Sequence, residues 1–261
     1  MKIKGAYDAI VNPVKGKYPP ELGSVTVMVS IESDLKNLCK ALDILEKDYK
    51  SVMMSRLYSA DGIESDFSII GPVVGASYAT ILLEDLIVWG ARDIIFVGYC
   101  GAVSTNVKIG DIIIVKSSII DEGVSKHYKV NEPDITANPC ICNTNNVCMS
   151  YPSERLSDTL KNVFTGHHIS FNEGVVWTTD AVFRETREKV AYYQSKDVLG
   201  VEMETSALFS VAAFRGVNIA AVLLVSDEIS DFTWRTGFKD KRFIKGCDDI
   251  SKVVNSLCNK N

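Results

Sequence analysis

Two spacings of apolar residues divide the chain into strands and helices. Residues 24–30 (SVTVMVS) form a β-branched run between Gly23 and an acidic stretch, which predicts a first strand. Leu35, Leu38, Cys39, Leu42 and Leu45 then recur at helical spacing, with Glu32 and Asp34 early, where the helix dipole favours acids. Residues 51–58 and 67–74 read as two short strands separated by the turn signal Asp61-Gly62. Residues 76–89 read as a helix closed by Gly90. The strands at 93–98 (DIIFVG), 111–115 (DIIIV) and 218–225 (NIAAVLLV) are continuous apolar runs. Strands without polar alternation are buried on both faces, so they belong to a central sheet covered by helices.

The spacing predicts further helices over 153–163, 184–194, 205–215 (ended by Gly216) and 246–258, and a strand over 169–178. This alternation of types predicts a single α/β domain with a central mixed β-sheet flanked by helices. Residues 1–23, with Pro13, Pro19 and Pro20, read as an N-terminal arm to a domain at 24–261, with an irregular insertion at 132–151.

Charge narrows the partners. The 261 residues carry 28 Lys+Arg against 33 Asp+Glu, a net −5 without a basic stripe, which argues against nucleic acid. No apolar run approaches the roughly 18–20 residues needed to span a bilayer, since Glu84 and Asp85 interrupt the longest. Met1-Lys2-Ile3-Lys4-Gly5 leads into no apolar signal segment, so a soluble cytoplasmic protein is expected. Cys140, Cys142 and Cys148 lack the C-x2-C pairing of a zinc site, even with His167 and His168 downstream. They are expected to be reduced thiols in a surface insertion, and no metal is predicted.

Two clusters of carboxylates stand where chemistry is expected. Glu202-Met203-Glu204 lies between the apolar run 198–201 and a helix, and Asp227 comes two residues after the strand 218–225. In open α/β sheets ligands bind outside the carboxyl ends of strands. These acids either cap helices or face one crevice, where they would hold sugar hydroxyls and supply a proton. The glycine turns Gly98-Tyr99-Cys100-Gly101 and Gly71 to Gly75 match neither a dinucleotide fingerprint nor a P-loop.

Several stretches together resemble one family. Val198-Leu-Gly-Val-Glu-Met-Glu-Thr-Ser-Ala-Leu208, followed by Val225-Ser226-Asp227, is similar to the signature of the nucleoside phosphorylases. That family includes hexameric purine nucleoside phosphorylases, uridine phosphorylases and methylthioadenosine/adenosylhomocysteine nucleosidases. Phe96-Val-Gly-Tyr-Cys-Gly-Ala-Val103 and Ile109-Gly-Asp-Ile-Ile113 resemble its phosphate-loop strand and the strand after it. Asp121-Glu-Gly-Val-Ser-Lys-His-Tyr128 resembles a uridine-phosphorylase segment, and Thr178-Thr-Asp-Ala-Val-Phe183 lies where the base-stacking loop belongs.

The resemblance implies catalytic roles for Glu204, on the ribose hydroxyls, and Asp227, on the leaving base. It implies substrate contacts from Met203, Glu202, Val182, Phe183, Arg184, Arg187, Gly98 and Tyr99, with Met203 against the sugar and Val182 or Phe183 facing the base. Arg56 and Gly101 would serve phosphate, Arg56 by reaching a neighbouring subunit's site. The implied activity is cleavage of a purine or pyrimidine nucleoside by phosphate, with no other cofactor, in a homo-oligomer from dimer to hexamer with shared sites. For Asp227 to protonate a base near neutral pH, its setting must be apolar and poor in water.

The chain also departs from the pattern. Where the family has Gly-Asp-Pro and an arginine, this sequence has Val29-Ser-Ile-Glu-Ser-Asp-Leu35. Phe96 and Tyr99 replace a loop arginine and hydroxyl, and residues 1–23 hold no histidine; Lys36, Arg56 and Lys126 are the replacement cations at hand. Such losses keep two alternatives open, hydrolytic cleavage by a nucleosidase and a nucleoside-binding homologue without turnover. On base preference the sequence points both ways. The acid after Ser226 resembles purine-handling members, and Arg184 with Arg187 suits the carbonyls of a pyrimidine. Residues 231–235 would close over the base, or Trp234 would simply rest on the terminal helix.

Overall fold

A computed structural model of the chain describes residues 9–45, 47–63, 65–128, 141–142 and 147–258. Strand β1 (Val25–Val29) leads into helix α1 (Glu32–Ala41). The single strand expected at 51–58 is a hairpin, β2 (Lys50–Val52) and β3 (Ser55–Tyr58), because Met53 turns the chain with a left-handed φ of 52°. The Asp61-Gly62 turn signal lies in a four-residue helix, α2 (Ala60–Ile63). Next come β4 (Phe67–Gly71) and α3 (Ala76–Trp89), the latter closed by Gly90 at φ 125°.

The second half alternates as the apolar runs require. It comprises β5 (Asp93–Ala102), β6 (Ile112–Asp121), the hairpin β7 (Ile141–Cys142) and β8 (Cys148–Ser150), and α4 (Glu154–Gly166). It continues with β9 (Asn172–Thr179), α5 (Arg187–Gln194), β10 (Val198–Glu202) and α6 (Thr205–Arg215). It ends with β11 (Asn218–Glu228), β12 (Arg235–Thr236) and α7 (Lys241–Cys258). Most of the insertion expected at 132–151 lies outside the described residues. The thiol expectation fails at Cys148, which is disulfide-bonded. No described helix is long and apolar enough to cross a membrane.

All strands join one mixed sheet, ordered β12-β11-β6-β9-β10-β5-β1-β4-β3-β2, with β7 and β8 attached at β6. β5 also pairs with β11, so β5, β11, β6, β9 and β10 close into a ring. Pairing is parallel for β1 with β4 and β5, and for β5 with β11, so these strands end on the same side.

Period-two packing explains the continuous apolar runs. Val27, Ile95, Val97, Val222 and Leu224 face one core with Leu35 and Leu38 of α1, Leu160 of α4 and Val253 of α7. Their neighbours Met28, Ile94, Phe96, Ala221 and Leu223 face the other core, with Leu82 and Leu86 of α3 and Leu208 and Phe209 of α6. Burying a full aliphatic side chain stabilises by roughly 1.5–3 kcal/mol, so this double burial fixes the strands beneath the site. A smaller cluster around Trp177, Tyr193 and Val201 packs at the end of the ring.

Candidate active site

A cavity of about 970 Å³ opens at the carboxyl ends of β1, β5, β10 and β11, with α1 and α7 along one side. That is the upper end of the range for small-molecule sites, and it lies where the topology of an open α/β sheet places them. Glu202, Met203, Glu204 and Asp227 all line it, although they come from two distant segments.

Asp227 reaches the cavity by an irregularity that periodicity does not reveal. The strand expected to stop at 225 continues to Glu228, and its register against β5 slips between Val225 and Asp227. Such a bulge re-aims a side chain. Asp227 therefore caps no following helix. Its carboxylate accepts from Ser226 Oγ at 2.6 Å and from Trp234 Nε1 at 2.9 Å. Trp234 is thus part of the site wall. Gly101 makes room for this arrangement, since a Cβ there would sit 3.0 Å from Asp227 Oδ2. Gly101→Ala is accordingly expected to keep the fold and lower activity by displacing Asp227. Base release by the purified variant, set against its thermal midpoint, checks this.

The paired glutamates divide their roles. Glu202, expected to contact substrate, lines the cavity and is also the hub of a buried network. Its Oε2 accepts the backbone N–H groups of Glu204 and Thr205, both at 2.7 Å, which satisfies the start of α6. Its Oε1 accepts from Thr205 Oγ1 at 2.7 Å and from Thr178 Oγ1. Glu204 occupies the N-cap position but its side chain makes no capping bond. It accepts instead from the backbone N–H of Gly75, at 2.5 Å. Burial, with Glu202 beside it, pushes the Glu204 carboxyl up to about 8.

The base-facing segment differs most from expectation. The helix predicted from 184 begins at Arg187, with Thr186 as its N-cap, and Val182–Arg184 form a 3-10 turn. Val182 and Phe183 stand at the cavity rim, but Arg184 and Arg187 do not line it. Arg187 lies over the Phe232 ring, 5.6 Å from its centroid. The residue that does face in is Glu185, between them. Burial first and Asp227 second push its carboxyl up to about 7, against the opposing pull of Lys189. Thr186 was the available sequence signal: an N-cap residue there starts the helix later and takes the arginines off its inner face.

The described cavity wall brings no cation to a phosphate. Tyr99 lines the cavity, and its hydroxyl donates to the buried Asp34 at 2.7 Å. Burial raises the Asp34 carboxyl above the usual range, partly offset by the bonds from Tyr99 and Cys247. Gly98 stays behind the wall, where a Cβ would meet the Phe96 ring at 2.8 Å; it is a packing residue. Arg56 is held by Glu32 at 2.7 Å and lies outside the cavity, as do Lys36 and Lys126. Asp34, Glu185, Glu202, Glu204, Asp227 and Asp248 all line it, and none of its described lining residues is Lys, Arg or His. Chemically, the arrangement suits a neutral ligand with hydroxyls to donate and a group to be protonated.

Three comparisons place the chain among known proteins. A family model described as the phosphorylase superfamily matches residues 39–258. The DeoD-type purine nucleoside phosphorylase of Shewanella loihica is 29% identical over 230 residues, 87% of this chain and 81% of that protein. The DeoD-type enzyme of Bacillus cytotoxicus is 32% identical over 171 residues, covering 62% of this chain and 63% of its own length. The chain thus spans less than two thirds of that relative. The crystal structure of uridine phosphorylase from Vibrio fischeri ES114 has the same fold, with a TM-score of 0.72 at 22% identity over 92% of this chain and 93% of that one.

Proposed function

The chain belongs to the phosphorylase superfamily, and from that premise we propose that it cleaves the N-glycosidic bond of a nucleoside, with phosphate as acceptor. The observation that carries this reading is the convergence of Glu204 and Asp227 on one cavity from separate strand ends. In the reaction the bond from C1′ to the base nitrogen breaks and its electron pair leaves with the base, which takes up a proton. A phosphate oxygen bonds C1′, giving free base and sugar 1-phosphate. Glu204 accepts from the ribose hydroxyls and faces the positive charge growing on the sugar, while Asp227 meets the charge growing on the base. Met203, partly exposed at the wall, lies against the sugar. The step needs no group beyond phosphate.

With six carboxylates and no cation among the described lining residues, phosphorolysis in this reading draws its phosphate contact from a neighbouring copy. Arg56 fills that role in a homo-oligomer with shared sites. A guanidinium grips an oxyanion at two points and an ammonium does not. Arg56→Lys is therefore expected to raise the KM for phosphate several-fold while barely changing that for the nucleoside. Steady-state kinetics with each substrate varied checks it, and a fully active monomer in sedimentation would remove the shared site. The same charge balance supports a second reading, hydrolysis, in which water replaces the dianion. Product formation from a nucleoside panel with and without inorganic phosphate separates the two: dependence selects phosphorolysis, and equal rates select hydrolysis.

A further inference from the structure

Glu185 has no place in the family resemblance, yet it lines the cavity that holds Asp227. It is the residue directly after the 3-10 turn that sets Val182 and Phe183 at the rim. Among the described residues its carboxyl has neither a hydrogen bond nor an ion pair within contact distance. The charged groups bearing on it are Asp227 from β11 and Lys189 from α5. Lys189 is itself occupied by Asp121 at 2.7 Å. Asp227 is differently supplied, since Trp234 and Ser226 both donate to it.

Resting on the nucleoside reading above, we propose that Glu185 and Asp227 together read the base, sharing one proton, and so select a 6-aminopurine. Two carboxyl groups that line one cavity, with no cation among its described lining residues, do not both ionise readily. With donors already aimed at Asp227, the proton resides on Glu185, consistent with a carboxyl pushed up to about 7. The pair then offers one O–H donor and one carboxylate acceptor. Adenine presents the matching edge, N7 as acceptor and the 6-amino group as donor. Hypoxanthine and guanine present acceptors at both N7 and O6, which sets O6 against a carboxylate. Donation to N7 also places the proton where a departing purine needs it.

Calorimetric titration of the intact protein with free adenine and free hypoxanthine tests this independently of turnover. Adenine is expected to bind at least about tenfold more tightly, the scale of a two-point base contact. Its affinity is expected to fall as pH rises through about 7, when the shared proton is lost. Glu185→Gln donates without titrating, so its adenine affinity is expected to stay flat across that range. Glu185→Ala is expected to bring adenine down to the level of hypoxanthine. Equal binding of the two bases by the wild type, or an unchanged pH break in Glu185→Gln, would overturn the proposal. Adenine binding with this signature in a protein that cleaves no nucleoside would uphold the base-reading pair and remove only the proposed reaction.

Discussion

Asp227→Asn is expected to fold normally and to lose at least about 10²-fold in kcat/KM on its best nucleoside, the scale of a general-acid contribution. The fold should survive because the substitution is isosteric and the amide oxygen still accepts from Trp234 Nε1 or Ser226 Oγ. Catalysis should not survive, because an amide at 227 exchanges no proton with Glu185 or with the leaving base at any working pH. Glu185 reaches the same cavity from another segment. It is not replaced in position by an amide at 227, and the proton balance of the pair is lost with the carboxylate. Base release followed spectrophotometrically, with a thermal melt as control, measures both halves. Near-wild-type turnover would take Asp227 out of the chemistry.

The sheet was legible because its physics is repetitive. Ile94 to Val97 and Ala220 to Val225 alternate between two apolar cores, so both strands appear in sequence as unbroken apolar runs. The site was legible only where a feature is local. Glu204 and Asp227 stand at strand ends in a recognisable signature, and Met203 lies between the two glutamates. What the sequence concealed depends on contacts between distant residues. The bulge that aims Asp227 exists only through pairing with β5, at Gly101. The capping role of Glu202 depends on Thr178 of β9, 24 residues away. Arg184 and Arg187 are base-facing by resemblance to pyrimidine-handling members; with Thr186 as N-cap of a helix that starts at Arg187, the residue lining the cavity is Glu185. Tyr99 replaces a phosphate contact by a bond to Asp34, 65 residues distant, which no spacing rule foretells.

The two glutamates of β10 and α6 should respond in opposite ways. Glu202→Ala leaves the buried backbone N–H groups of Glu204 and Thr205 without their acceptor, and takes one from the hydroxyls of Thr178 and Thr205, which keep Ser118 Oγ as a partner. An unsatisfied buried donor costs about 1–3 kcal/mol, so even with partial repair a loss of at least about 3 kcal/mol is expected. At about 2–4 °C per kcal/mol for a protein of this size, the thermal midpoint should fall by about 6 °C or more. Glu204→Gln should leave the midpoint unchanged or raise it. Its carboxyl is held at about 8 in the folded protein, above the ordinary 4.5, so the folded state binds more protons between those values. Stability from this group therefore declines as pH rises from about 4.5 through 8, and a neutral amide removes that decline. The amide oxygen still accepts from Gly75 N–H, so the local backbone keeps its anchor. Turnover should nonetheless fall by about 10²-fold, because the reactive form is the ionised carboxylate, which accepts from two ribose hydroxyls and stabilises a cationic sugar, and an amide has no ionised form. Melts at pH 5 and pH 8 beside kinetics at pH 7 resolve the pattern. A Glu204→Gln protein that melts early would mean that the carboxylate holds α6 in place, and a stable Glu202→Ala protein would mean that the buried network does not.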